Sequence, residues 1–257
     1  MVVPATLRDK PVEVIGEKAF NNLQITSAVL PESVRVIEKQ AFMTTLSLRT
    51  VNIPSQLTEI EDQVFFNASA LRSITIPQSV EKIGFGSFAY LSVPSVQLPA
   101  GLKSIGEIGF GYGKLKSVVI PDSVTELGDG AFYSNDLTAV AISKSLTSIP
   151  RTAFYGNELT YVEIPEGVKS IGEQAFSSNI LKVAMLPSTL ETIGDGAFRN
   201  NNMATITIPD SVKTIGSYGF YANPTTKVSI KRTGVNIGEF AFDELSYGTK
   251  IVWDYRD

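Results

Sequence analysis

The 257-residue sequence contains no cysteine and no histidine. Without cysteine there is no disulfide, no thiolate nucleophile and no thiolate metal site. Without histidine the usual general base, the Ser-His-Asp relay and the commonest metal ligand are missing. Paired carboxylates or a lysine could still carry chemistry, but an enzyme is the least favoured class and no cofactor is expected. Charge is sparse as well, at 19 % of residues with a net charge of −4 and no basic run. That balance argues against nucleic acid or an anionic membrane surface as partner. No apolar run reaches the roughly 18 residues of a membrane span, and Met1 opens no signal-peptide pattern.

What the chain does have is a recurring phrase. "SVTELGDGAF" at 123–132 returns as "SVKTIGSYGF" at 211–220. The anchor is Phe20, Phe42, Phe65, Phe88, Phe110, Phe132, Phe154, Phe176, Phe198, Phe220 and Phe242, spaced by 22 residues eight times and by 23 twice. Five residues before each stands an isoleucine (Leu127 once), and one residue before it a small side chain, with Val64 the largest exception.

Upstream of each phrase lies a short strand signal of β-branched residues alternating with polar ones, as in "LRSITIP" (71–77), "LTYVEIP" (159–165) and "MATITIP" (203–209). A proline usually follows, where its fixed φ and missing donor suit a strand end, although Ser143 and Lys231 depart from that column. The consensus is L-x-x-V-x-I-P-x-S-V-x-x-I-G-x-x-A-F-x-x-N-x. A unit this small cannot bury its apolar face alone but can do so stacked on copies of itself. The reading is a solenoid whose strands join one parallel sheet, with the Phe column closing the far wall of each coil.

The joint occurrence of the IP-x-SV and IGxxAF blocks, from about Val12 to Phe242, resembles the BspA-type leucine-rich repeat, a bacterial class of short repeats. Where many repeats of that family carry cysteine after AF, this chain has Asn135, Asn157, Asn179, Asn201 and Asn223. The resemblance implies a right-handed, mainly β leucine-rich-repeat solenoid of about eleven coils, with a curved parallel sheet and short turn or 3₁₀ segments on the convex side. It also implies an extracellular or cell-surface binding module, often of the adhesion type. The expected organisation is a single domain over 1–257: a partial N-terminal coil at 1–24, repeats at 25–242 and a C-terminal cap at 243–257 bearing Trp253. Val2 and Val3 read as the remnant of a first strand, with more protein expected upstream.

Two surfaces are candidate sites. Residues between the core columns point out of the concave sheet. In the middle of that face Val119, Ala139, Ala141, Tyr161, Val183 and Met185, with Glu163, form a shallow apolar patch suited to a protein or peptide ligand. The bland alternative is a sheet that merely favours β-formers. Just past the Phe wall, Tyr90, Tyr112, Tyr133 and Tyr155 form a stripe suited to protein contact or a glycan, or else simply packing over the coil edge.

The Asn column and the glycines after the isoleucine read as structural. Glu107, Asp129, Glu173 and Asp195, interrupted by Arg151, read as a solvated face rather than a calcium site. Lys227 to Arg232 reads as a broken last coil where a weak end-to-end dimer could begin. The remaining alternatives are a carbohydrate-binding or wall-binding accessory module of a secreted enzyme, and a spacer that binds nothing.

Overall fold

In the computed structural model, which describes residues 1–231, 233–242 and 252–256, each repeat closes into one coil and no helix occurs among the described residues. Coils are numbered by their phenylalanine, from Phe20 in coil 1 to Phe242 in coil 11. The wall expected of that column is present. Successive Phe rings stack with centroids 5.0 to 5.8 Å apart, and Phe42 through Phe220 are no more than 2 % exposed.

The backbone of this wall forms an inter-coil ladder of its own. Phe42 donates its N–H to Val64 O at 2.9 Å and Thr44 to Phe66 O at 2.7 Å, and the pattern repeats along the chain. Among the described residues, those two before and two after each Phe have positive φ, among them Gln40, Thr44, Tyr90, Tyr112, Ile108 and Tyr218. Few of these are glycine, so the left-handed backbone does not show as a column in the sequence. Such a residue every fourth position is incompatible with a 3₁₀ run. The expected turns are present, but no 3₁₀ segment occurs among the described residues.

Two strand ladders line the rest of each coil. The expected one runs through the segments before the proline column. It joins Ser27–Ala28 to Thr50–Val51, Ser117–Val119 to Ala139–Ala141, and Tyr161–Glu163 to Val183–Met185, all parallel. The fourth group is Thr205–Thr207, Lys227–Lys231 and Val252–Arg256. The parallel bridge Val2↔Val29 places Val2 and Val3 as the first coil's strand, as their position before Pro4 implied.

Two local expectations are corrected, and one element was not expected. Residues 71–77, the clearest alternating segment, make no ladder pairing, and Ser95 in the next coil makes only a bridge to Ser117. The extra residue of the two 23-residue intervals lies between Phe and strand, after Phe42 and after Phe65, and Pro94 withholds a donor in coil 5. Lys227–Lys231 is not a broken coil but a five-residue strand paired on both edges. Finally, residues 6–11 fold out as a small antiparallel hairpin, Thr6–Leu7 against Lys10–Pro11, turning on Arg8 and Asp9 at φ 51° and 63°.

The second ladder was not anticipated. It runs through two-residue strands at the isoleucine column, continuous from Glu59–Ile60 to Glu126–Leu127 and again from Ser148–Ile149 to Asn236–Ile237. The glycine after the isoleucine extends it: Gly128 N–H donates to Ile105 O and Gly172 N–H to Ile149 O, each at 2.8 Å. Coil 7 carries Pro150 in that position, which has no N–H to offer Leu127, and there the ladder breaks.

Candidate functional site

The patch residues all lie on the outward side of the first ladder. Val119 is 69 % exposed, Tyr161 49 %, Val183 45 % and Met185 53 %, and Ala139, Ala141 and Glu163 are exposed with them. Backbone pairing fixes their neighbours: Val119 sits beside Ala141, Tyr161 beside Val183, and Glu163 beside Met185. Between Ala139–Ala141 and Tyr161–Glu163 the ladder is open, and again between Val183–Met185 and Thr205–Thr207. A groove occupies each opening, of about 550 Å³ at Ala141 and Tyr161 and about 470 Å³ at Met185 and Thr207. Val140 and Ala184, the mid-strand residues bordering them, are half-buried, whereas Val118 and Val162 are buried. The alternation of closed and open strand pairs was not legible in the sequence.

The tyrosine stripe forms a continuous stack. Tyr90 and Tyr112 lie 4.7 Å apart with planes 4° from parallel, and Tyr133 and Tyr155 4.9 Å apart at 8°. Tyr112 meets Tyr133 at a tilt, and Phe66 closes the N-terminal end edge-on. The rings cover one another's faces, so within the stack a sugar ring finds edges and phenol tips rather than open faces. Burial pushes the Tyr133 phenol above its ordinary range, with the neighbouring Tyr155 and Tyr112 adding to it.

The asparagine column is structural and inter-coil. Asn135, Asn157, Asn179, Asn201 and Asn223 are buried, and each Nδ2 donates to the Phe carbonyl of the preceding coil at 2.8 to 3.0 Å. Each Oδ1 accepts the backbone N–H of the residue that opens the Asn's own repeat, as Asn135 does from Leu115 and Asn223 from Met203. Gly113 ends the column because a Cβ there would stand 2.5 Å from Asn135 Oδ1. In the acidic column Arg151 pairs with Glu173 at 3.5 Å, and Asp195 accepts the Ser217 N–H at 2.8 Å. Among the described residues no group of three or more Asp or Glu is arranged to hold a metal ion, and no helix is long and apolar enough to cross a membrane.

A parallel solenoid of 22-residue coils with an exposed strand face is a leucine-rich-repeat domain. The chain belongs to the BspA type leucine rich repeat family, whose pattern matches residues 13–137, 63–182 and 178–254 in 6 copies. It is similar in structure to a leucine-rich repeat protein from Bacteroides ovatus, with a TM-score of 0.75 and 27 % identity over 99 % of this chain. The chain spans only 63 % of that protein's length. The pneumococcal vaccine antigen PcpA shares the fold at TM-score 0.62 and 24 % identity, over 100 % of this chain and 78 % of that one. A leucine rich cell surface protein from Faecalibacterium prausnitzii shares it at TM-score 0.53 and 20 % identity, over 97 % and 89 %. Comparison with curated proteins gives no match.

Proposed function

We propose that the chain is a non-enzymatic, adhesion-type module of a bacterial surface or secreted protein, binding a protein or peptide through the outward face of the first ladder. The observation that carries this reading is the exposed apolar cluster from Val119 to Met185 on a face that is otherwise rich in Ser and Thr. Exposed apolar area of this kind is a common mark of an interaction surface. The ladders and the buried Asn bridges hold the face rigid, so little ordering entropy is lost on binding. The extracellular setting is the one implied by the family. On this reading the whole chain acts as one solenoid domain, closed at its C-terminal end by Trp253, which packs edge-on against Phe242 at 5.4 Å. The rest of the expected cap, residues 243–251 and Asp257, lies outside the described residues.

The test is an array of extracellular-matrix proteins and glycans probed with the chain and with the double variant Tyr161→Ala/Met185→Lys. The expected result is a protein signal lost in the double variant. A glycan signal that survives the double variant and falls in Tyr112→Ala would transfer the function to the tyrosine stripe. An array without signal would favour a spacer.

A further inference from the structure

Coil 7 departs from the consensus in its proline and glycine columns, where it carries Ser143 and Pro150, and Lys144 stands at the variable position after Ser143. Ser143 is buried and its hydroxyl donates to Val124 O in the preceding coil at 2.7 Å. On its other side the first-ladder strand of coil 7, Ala139–Ala141, makes no pairing with Tyr161–Glu163 of coil 8, and the larger of the two grooves lies there. We infer that this groove takes a short extended peptide, with an aliphatic or aromatic side chain set against Ala141 and Ile142 and a lysine or arginine beside Glu163. The inference rests on the binding role proposed above and narrows it to one groove and one ligand chemistry.

Shape supports the apolar half of that ligand. Ala141 is too small to fill the space beside Tyr161, and the half-buried Val140 is open to it. At about 550 Å³ the groove lies within the range of roughly 300–1,000 Å³ typical of small-ligand sites. Charge supports the basic half. Among the described residues the Glu163 carboxylate has a single polar contact, the Tyr161 hydroxyl at 3.4 Å. Glu166, also lining the groove, accepts the Ser188 N–H and hydroxyl, both at 3.1 Å. Asp122 holds the backbone N–H of Lys144 at 2.9 Å. Two carboxylates, Glu163 and Glu166, thus line the groove with one ammonium, that of Lys144, and the local field favours a cation. The exposed face of Tyr161 offers such a cation a ring as well.

Three labelled hexapeptides provide the test: Gly-Leu-Lys-Leu-Lys-Gly, its Glu-for-Lys counterpart, and its Ser-for-Leu counterpart. Binding to the full chain is read by fluorescence anisotropy, at low salt and again with added sodium chloride. The Leu/Lys peptide is expected to bind and to weaken with salt. Its affinity should fall about tenfold in Glu163→Gln, the loss of one charge-assisted contact, and vanish in Ala141→Phe, which fills the groove from an exposed position. Stronger binding of the Leu/Glu peptide, equal binding of the Ser/Lys peptide, or indifference to Ala141→Phe would overturn the inference. So would the absence of saturable Leu/Lys binding up to about 1 mM. A matrix protein captured by the parent chain and by Ala141→Phe but lost in Met185→Lys would sink the groove while leaving the wider binding face intact.

Discussion

The side-chain amide of Asn157 donates to the carbonyl of Phe132, one coil back, at 3.0 Å. Its Oδ1 accepts the N–H of Leu137, which opens the same repeat, at 3.1 Å, so one side chain satisfies two buried backbone groups. Five consecutive coils repeat this bridge. The N-terminal coils carry Leu23, Thr45, Ala68, Leu91 and Gly113 in the same column and have none of it.

Asn157→Ala should therefore cost far more than a surface change. Leaving the Phe132 carbonyl and the Leu137 N–H buried without partners costs about 2–4 kcal/mol in all. Urea unfolding followed by circular dichroism measures it, and a loss below about 0.5 kcal/mol would contradict the bridging role.

The Phe wall should respond by position. Phe154 is fully buried and stacked on both sides, and Phe154→Ala should cost about 3–5 kcal/mol. Phe20 is half-buried and stacked on Phe42 alone, so Phe20→Ala should cost less. The ratio of the two denaturation midpoint shifts is the measurement.

The glycine column offers a matched pair. A Cβ on Gly106 would stand 2.7 Å from Gly84 C and 2.8 Å from Phe85 N, both rigid backbone. On Gly16 its nearest neighbour would be Glu38 Oε2 at 3.8 Å. Gly106→Ala should destabilise by about 1–3 kcal/mol, while Gly16→Ala should be neutral or slightly stabilising. Equal thermal shifts would refute close inter-coil approach as the reason for glycine.

Tyr133 predicts an alkaline signature. Burial raises its pKa above the ordinary 10.0, so the folded state holds the phenol proton more tightly than the unfolded state does. The stability this contributes is fully present below pH 10.0 and is lost as pH rises from there through the folded-state pKa. Tyr133→Phe should flatten that alkaline slope in unfolding measured across the range, and an unchanged slope would show that Tyr133 does not carry it.

How much of this was legible follows from side-chain spacing. The Phe and Ile columns sit at fixed positions in every coil, and such columns read directly as core. The outward patch followed from alternation along each strand. The second ladder did not, because Glu59–Ile60 and its counterparts are two-residue strands, too short for any alternation. The left-handed columns were hidden because Gln40, Tyr90 and Ile108 occupy them, residues that carry no turn signal. The grooves were hidden for a related reason: which coil pairs its strand with the next depends on small shifts between coils, and both Ala141 and Val119 fit a strand equally well.

The most direct test of the binding face is hydrogen exchange on the chain with and without a protein captured on the array. The account predicts slowed exchange confined to residues 117–119, 139–141, 161–163 and 183–185 and the turns that follow them. Protection centred instead on 110–113 and 132–134, around the tyrosine stack, with the strand face unchanged, would contradict it.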